Sequence, residues 1–402
     1  MLEMMKGRKM NLVKTSRNVG IALALILLPA SLHSAIVPDS PVKDQCVALL
    51  PEVQKKIMKF ATHEERLQEL NSDRKTKKSY FAPKARWRKA QPVTFRWSCT
   101  EKETGPFRVE VSETPDFEDP IYGFSASATT LELPRRAANF KIGQRYYWRV
   151  TGRNANKKKV QSETASFVTE DLPPRWIGLY GNVSNIRDLG GYVTADGRRV
   201  RQGMLYRGQG LNDNSVDREI PGNNRLMIVD LPTMLGRFKI RTDLDLRSSG
   251  ETAGMKVSPL GTGVDFIHHS SLCYAGIFTD KGKKVMAENF RVFCDEKNYP
   301  IYFHCIAGAD RTGSLAYILN GILGVPEKEL ELDWEHTFYP DLPDNQANGN
   351  PTYWRLMKNL VDGLTAKYTK PGESVQQRIE KYLLDSGITP EEIAEFRSIM
   401  LE

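Results

Sequence analysis

The sequence is poor in cysteine: its 402 residues include only five, at positions 46, 99, 273, 294 and 305. An odd number excludes complete pairing into disulfides, so at least one thiol must be free. In an oxidising compartment a free thiol is usually retained for its reactivity. Disulfides among Cys46, Cys99, Cys273 and Cys294, or four reduced thiols, are both compatible with the sequence.

The N-terminus lacks a hydrophobic run long enough to cross a membrane comfortably. Its apolar segment, 19-VGIALALILLPA-30, is short for a transmembrane helix. Basic residues precede it and small residues near Ser34-Ala35 follow it, as in an export signal. We therefore predict a signal peptide at 1–35 and a periplasmic or extracellular protein. An uncleaved anchor is the alternative, because the segment has no A-x-A cleavage motif.

A basic face interleaved with aromatic residues is lacking too, although the formal charge is +8. Lysines and arginines are scattered or form short runs such as 74–78, which argues against a nucleic acid partner. The sign of the charge is compatible with an anionic substrate. With 40% hydrophobic and 26% charged residues, the chain is expected to form two or three globular domains.

Two segments of different periodicity follow the predicted signal. Residues 36–90 combine apolar residues at helical spacing with the polar run 71-NSDRKTKK-78, which predicts a helical lead-in and linker. Residues 91–172 instead alternate apolar and polar residues between turns, which predicts a small all-β sandwich. Its predicted strands are 93–99, 107–112, 130–133, 145–153 and 165–170.

Aromatic residues characterise the predicted sandwich. Trp97 lies in an early strand, 147-YWRV-150 in a late one and 167-FVT-169 at the closing edge. These motifs resemble fibronectin type III and immunoglobulin-like modules. The resemblance implies a spacer, with contact to the cell envelope or to another protein as the alternative.

Beyond Pro173-Pro174 the pattern changes to strands that alternate with helices. This alternation predicts an α/β domain over 173–402, with a central sheet flanked by helices. The predicted strands are 240–248 and 300–305, and the predicted helices are 312–324, 326–339, 374–387 and 389–401.

The stretch 302-YFHCIAGADRTGSLAYILNGILG-324 joins a predicted buried strand to a predicted helix. A tight loop would end at the helix N-terminus, where free backbone N–H groups and the helix dipole attract anions. Gly308 permits the turn, and Arg311 presents a planar guanidinium to two phosphate oxygens. We therefore expect Ile306, Ala307, Gly308, Ala309 and Arg311 to bind a phosphate group.

Cys305 precedes this loop and is the predicted nucleophile. The positive field of the loop should lower its pKa, so that the thiolate exists at neutral pH. The sulfur would attack phosphorus, and water would then hydrolyse the cysteinyl-phosphate. Thr312 is expected to donate to the thiolate, and His304 to order the loop. This chemistry calls for no metal and no cofactor.

The pattern H-C-x-x-G-x-D-R-T-G, from His304 to Gly313, has companions elsewhere in the chain. They are 185-NIRDLGGY-192, 197-GRRVRQGMLYRG-208, 242-TDLDLRSSGE-251 and 381-KYLLDSGITPEEI-393. Together they resemble the bacterial tyrosine/lipid phosphatase family of the cysteine-dependent protein tyrosine phosphatase superfamily, over nearly all of 176–402. The resemblance implies a protein tyrosine phosphatase-like fold and hydrolysis of phosphomonoesters.

The resemblance also implies roles for individual residues. Relatives use the loop aspartate as general acid, which gives that role to Asp310, with Asp243 or Asp245 as the alternative donor. Arg187 and Arg207 are expected beside the loop as substrate-binding residues, or else as members of structural ion pairs.

One position bears on the substrate. Ala309 stands where relatives that accept phosphoinositides often have lysine, so a second phosphate would lose a partner. Phosphotyrosine is the expected substrate, on a protein or a small molecule, and a phosphoinositide or inositol phosphate is the alternative. Two other classes of function are alternatives. One is a non-catalytic protein for binding phosphorylated ligands or for adhesion, and the other is an enzyme with sulfur chemistry of the rhodanese or arsenate-reducing kind.

Overall fold

The computed structural model describes residues 36–76, 90–99, 104–118, 121–133, 139–212, 225–252, 254–337 and 351–402. The predicted signal peptide lies outside these ranges. Within them, no helix is both long and apolar enough to cross a membrane. All five cysteines are described, and each is a free thiol.

The N-terminal unit consists of two β-sheets around one hydrophobic core, with two helices attached. Strands β1, β3 and β6 form one sheet; β2, β9, β7, β4 and β5 form the other, with β8 paired to β7. Inward residues of both sheets meet in the core, where the rings of Phe95 and Trp148 lie 5.0 Å apart. The elements are β1 (Ile36–Ser40), β2 (Gln45–Val47), α1 (Glu52–Met58), α2 (His63–Thr76), β3 (Val93–Cys99), β4 (Thr104–Ser112), β5 (Tyr122–Ala126), β6 (Thr130–Leu133), β7 (Arg145–Arg153), β8 (Lys159–Gln161) and β9 (Ala165–Thr169).

The prediction of a helical lead-in over 36–90 is wrong at its start. Strand β1 pairs with β3, placing Ile36 opposite Cys99, and β2 pairs with β9, placing Cys46 opposite Val168. These strands are too short to show a clear alternation, and their partners come much later in the chain. The helical part of the prediction is confirmed by α1 and α2.

The C-terminal unit confirms the predicted α/β class. Its six-stranded sheet has the order β10-β11-β12-β15-β13-β14, and β12, β15, β13 and β14 run parallel. The elements are β10 (Arg175–Trp176), β11 (Arg187–Asp188), β12 (Leu205–Gln209), β13 (Thr242–Asp245), α3 (Ser249–Thr252), β14 (Asp265–His268), α4 (Asp280–Phe293), β15 (Ile301–Cys305), α5 (Asp310–Ile322), α6 (Glu327–Glu335), α7 (Pro351–Tyr368), α8 (Val375–Asp385) and α9 (Pro390–Met400).

Strand β15 and helix α5 are the centre of this unit. All five residues of β15 are buried, and α5 is buried from Thr312 to Ile322. The parallel register sets Cys305 beside Gln209 of β12 and sets His304 beside Asp245 of β13. The carboxyl ends of parallel strands therefore collect polar groups around Cys305, as is usual for sites in α/β folds.

A buried ionic cluster joins the helices of the N-terminal unit to α6. Arg66 of α2 donates from Nε to Glu335 Oε2 at 2.5 Å, and His63 Nδ1 lies 2.6 Å from Glu335 Oε1. All three side chains are almost completely buried. Because charges in such a place must be paired, α2 and α6 are held in one arrangement.

Candidate active site

The loop between β15 and α5 makes a turn that only glycine can follow without strain. Gly308 has φ +67°, and an added Cβ would lie 2.4 Å from the carbonyl carbon and oxygen of Gly208. Strand β12 thus lies directly against the loop. The predicted role of Gly308 in the turn is confirmed.

Replacing Gly308 with alanine is expected to destabilise the protein by about 1–3 kcal/mol through backbone strain alone, and the clash with Gly208 adds to this. Activity should fall with it, because the loop must shift. Gly250→Ala is the matched control, since a Cβ there meets no atom within 4 Å. Denaturant unfolding and initial rates measure both effects; equal behaviour of the two variants would contradict the prediction.

The carbonyl oxygens of the loop accept hydrogen bonds from side chains elsewhere in the chain. Arg225 Nη1 donates to Ile306 O at 3.1 Å, and Asn185 Nδ2 donates to Ala307 O at 3.2 Å and to Gly308 O at 3.1 Å. No described residue accepts from the backbone N–H groups of Ala307, Gly308, Asp310 or Arg311. Ala309, at the N-cap of helix α5, also provides no side-chain cap. These N–H groups are therefore available to an anion.

Cys305 lies at the mouth of this loop and is buried. Burial by itself raises the pKa of a thiol, but the Thr312 hydroxyl, the N–H groups of Thr312 and Ala309 and the Arg311 guanidinium outweigh it. The pKa of Cys305 is consequently lower than that of an ordinary thiol. The sulfur is more easily converted to the nucleophilic thiolate than Cys273 or Cys294, whose pKa values burial raises to about 11 and about 12.

Replacing Thr312 with valine is expected to raise the pKa of Cys305, because a hydroxyl that stabilises the thiolate is lost. The pH profile of alkylation by iodoacetamide should move to higher pH, since thiolate then forms later. Thr242→Val removes another fully buried hydroxyl, from strand β13, and should leave the profile in place. An unchanged profile for Thr312→Val would contradict the role of this residue.

Arg311 is fixed by an acidic residue from another part of the chain. Its Nη1 and Nη2 donate to the two carboxylate oxygens of Glu251, at 2.5 and 3.1 Å. This guanidinium lowers the pKa of Glu251 to about 2, so the carboxylate stays charged. The bidentate pair fixes the plane of the guanidinium beside the loop.

Asp310 begins α5 and accepts a hydrogen bond from the Tyr274 hydroxyl at 2.5 Å. The two alternative acids are fully buried: Asp245 pairs with Arg247 at 2.6 Å, and Asp243 lies beside His304. His304 Nε2 lies 3.0 Å from Asp243, and its Nδ1 lies 3.1 Å from the Cys305 carbonyl oxygen. Burial opposes the charge on His304, but both carboxylates raise its pKa above the ordinary value. His304 therefore fixes the end of β15, from which the loop begins, and its predicted role in ordering the loop stays a prediction.

The prediction that Arg187 and Arg207 bind substrate is wrong. Both side chains are fully buried, and both donate to Asp333 of α6: Arg187 Nε to Oδ1 and Arg207 Nη1 to Oδ2, each at 2.5 Å. Arg207 Nη2 also donates to Gly308 O at 2.7 Å. Their guanidinium groups thus support the loop from behind, in the structural ion pair that was the alternative.

The sequence did not single out four residues that hold the site together: Asn185, Glu251, Tyr274 and Asp333. Asn185 and Glu251 belong to the motifs 185–192 and 242–251. Those motifs indicated that the two residues belong to the phosphatase-like domain, but not what their side chains contact. Tyr274 has a positive φ of 53°, which nothing in its sequence neighbourhood indicates. Asp333 lies in an amphipathic helix where an acidic residue is ordinarily solvent-exposed.

A buried thiol of lowered pKa lies at the N-terminus of a helix where several N–H groups lack acceptors, an arrangement suited to phosphoryl transfer to sulfur. Comparison with known proteins agrees with this chemistry. The model of the tyrosine phosphatase family matches residues 180–402. The chain therefore belongs to the tyrosine phosphatase family, and its C-terminal unit has a mixed α/β fold.

Two individual relatives are more distant. A protein of Cupriavidus necator, provisionally named a tyrosine-protein phosphatase, is 30% identical over 194 residues, covering 42% of this chain and 63% of that protein. The crystal structure of the core catalytic domain of PP-IP phosphatase SIW14 from S. cerevisiae, in complex with citrate, is 12% identical. It covers 44% of this chain and 91% of that domain, with a TM-score of 0.24.

Proposed function

We propose that the protein is an exported, cysteine-dependent phosphatase that hydrolyses phosphotyrosine through a cysteinyl-phosphate intermediate. The observation that carries the proposal is the thiol of Cys305, whose pKa is lowered where Arg311 and free N–H groups converge. Nucleophile and phosphate site thus share one loop. A protein that only captured phosphorylated ligands would not need a lowered thiol pKa.

The reaction has two steps. In the first, the Cys305 thiolate attacks phosphorus in line with the ester oxygen, and the S–P bond forms as the P–O bond breaks. Asp310 donates its proton to the leaving phenolate oxygen, while Arg311 and the loop N–H groups bind the equatorial oxygens. In the second, water attacks phosphorus and gives its proton to Asp310. The S–P bond breaks, which releases phosphate and restores the thiolate.

The direct test is phosphate release from p-nitrophenyl phosphate and from a phosphotyrosine peptide by the purified chain. We expect turnover in the presence of a metal chelator, inhibition by vanadate and a phosphocysteine adduct after rapid acid quench. Turnover without any adduct at Cys305 would contradict the mechanism. Thiosulfate or arsenate turnover in place of phosphate release would favour the sulfur chemistry.

Replacing Asp310 with asparagine is expected to lower kcat by about 10²- to 10⁴-fold for phosphotyrosine, because the leaving phenolate then lacks a proton donor. The loss should be smaller for p-nitrophenyl phosphate, whose leaving group needs no protonation. Tyr274→Phe is the companion variant, since it frees the same carboxylate without removing it. Equal losses of kcat on both substrates would contradict the role of Asp310 as general acid and indicate a structural role.

Ala309 supports phosphotyrosine over inositides, because it adds no cation to the loop. A panel of phosphotyrosine peptides, phosphoinositides and inositol hexakisphosphate should rank the peptides first. Ala309→Lys should raise turnover of the polyphosphates selectively, since the new ammonium would bind a second phosphate. Inositides as the best substrates of the unmodified chain would reverse this order and support the alternative.

Export rests on the sequence at 1–35. The N-terminal β unit, with its resemblance to fibronectin type III modules, is proposed as a spacer. Cell fractionation with N-terminal sequencing of the mature chain tests export. Binding of the full-length chain to isolated cell envelopes, compared with an N-terminally shortened chain, tests adhesion against spacing.

A further inference from the structure

A second cleft, separate from the catalytic loop, lies where the two units meet. Its volume is about 640 Å³, within the range of small-molecule sites. Glu113 and Lys141 line it from the N-terminal unit, and Tyr206, Arg237 and Lys239 line it from the C-terminal unit. Pro300, also in the wall, precedes strand β15, whose far end carries Cys305. Five residues of strand separate the two places by roughly 16 Å.

The cleft has more cations than anions. Lys141 Nζ lies 3.1 Å from Glu113 Oε2, so that carboxylate is already paired. Arg175 is likewise paired, with Asp188 at 2.7 Å. Arg237 and Lys239 have no carboxylate within ion-pair distance among the described residues. The wall therefore carries two positive charges that form no ion pair with a described residue.

Arg237 is held in place but incompletely satisfied. Its Nη2 donates to Asn139 O at 2.5 Å, and its guanidinium lies 4.4 Å from the centre of the Tyr122 ring. Its Nη1 is buried and has no hydrogen-bond acceptor in the described part of the chain. Burial lowers the pKa of Arg237 to about 9, and the attraction of the Glu113 carboxylate offsets only part of this effect. A guanidinium with an unsatisfied donor is suited to binding an anion.

We propose that this cleft binds a small organic anion, with a phosphate or carboxylate group at Arg237 and Lys239. Nη1 of Arg237 would reach the anion after the side-chain adjustment usual on binding. Ile121 and Phe238 provide an apolar wall for the rest of the ligand. The proposal is independent of catalysis at Cys305, because the two places lie at opposite ends of β15.

The test measures binding of three probes to the full chain by calorimetry: inorganic phosphate, phenylphosphonate and benzoate. A Cys305→Ser/Arg311→Met background removes the main groups of the catalytic loop. We expect the background chain to retain one site for phenylphosphonate, benzoate or both. The relative affinities for phenylphosphonate and benzoate distinguish a phosphate ligand from a carboxylate ligand. Binding of inorganic phosphate would show that the anionic group binds without an organic part.

In the same background, Arg237→Met should weaken binding about tenfold or more, because a charge-assisted hydrogen bond is lost. Lys239→Met changes an exposed residue, so it tests the proposal even where Arg237→Met fails to fold. Lys159→Met, on a strand of the N-terminal unit outside the cleft, is the matched charge control. Failure of all three probes to bind, or binding unaffected by both cleft variants, would overturn the proposal.

Discussion

Cys305→Ser is expected to reduce phosphate release by roughly a thousandfold or more, because the serine hydroxyl does not ionise at neutral pH and the nucleophile is lost. The fold should survive, since oxygen is smaller than sulfur and the loop carbonyls keep their external donors. The variant should still bind vanadate or phosphate, because Arg311 and the loop N–H groups are unchanged. Initial rates and a binding titration measure these two properties separately.

The matched control is Cys294→Ser. Cys294 is a partly buried thiol whose pKa burial raises to about 12, and its sulfur lies 3.3 Å from the carbonyl oxygens of Phe290 and Glu392. These contacts lie away from the loop, so its removal should leave turnover nearly unchanged. Full turnover by Cys305→Ser would refute the covalent mechanism, and loss of turnover by both variants would point to a general effect on folding.

The parts of the site that a sequence can predict are those whose residues lie close together in the chain. Cys305, Gly308 and Arg311 are close in the chain, so a strand, a turn and a helix suffice to bring them together. Their chemistry depends on local geometry that short-range rules describe well. These positions were therefore predicted with their roles.

The supports of the loop could not be predicted in the same way. Glu251 reaches Arg311 across 60 positions of sequence, and Asn185 reaches Gly308 across 123. No periodicity or local propensity encodes such pairings, because they follow from the order of strands in the sheet. The same reason explains the error at 36–47, where short strands gain their identity from partners that come later.

Arg187 and Arg207 illustrate a further limit. Arginines close to a phosphate loop are reasonable candidates for phosphate binding, and the resemblance to known phosphatases placed them near it. Only the position of α6 in the structure shows that Asp333 forms ion pairs with both guanidinium groups. The helix that carries Asp333 also carries Glu335, which binds Arg66 of α2. The loop is therefore attached, through one helix, to the N-terminal unit.

Asp333→Asn is accordingly expected to cost about 3–5 kcal/mol of unfolding free energy, because two buried guanidinium groups lose their counterion. The carboxylate is strongly favoured here: burial opposes it, but Arg187 and Arg207 lower the pKa of Asp333 to about 2. Stability is measured by denaturant unfolding. Glu329→Gln makes the same chemical change on α6, where no ion pair of Glu329 is described, and should cost far less.

Activity separates support of the loop from stability alone. Once Asp333 is neutral, Arg207 is no longer fixed, and its bond to Gly308 O at 2.7 Å should weaken. Displacement of the loop by about 1 Å would lower kcat/KM by about 100-fold, even at temperatures where the variant is fully folded. A variant that is destabilised but retains normal kcat/KM would show that the bond from Arg207 is dispensable, and that the donors Asn185 and Arg225 are sufficient to hold the loop.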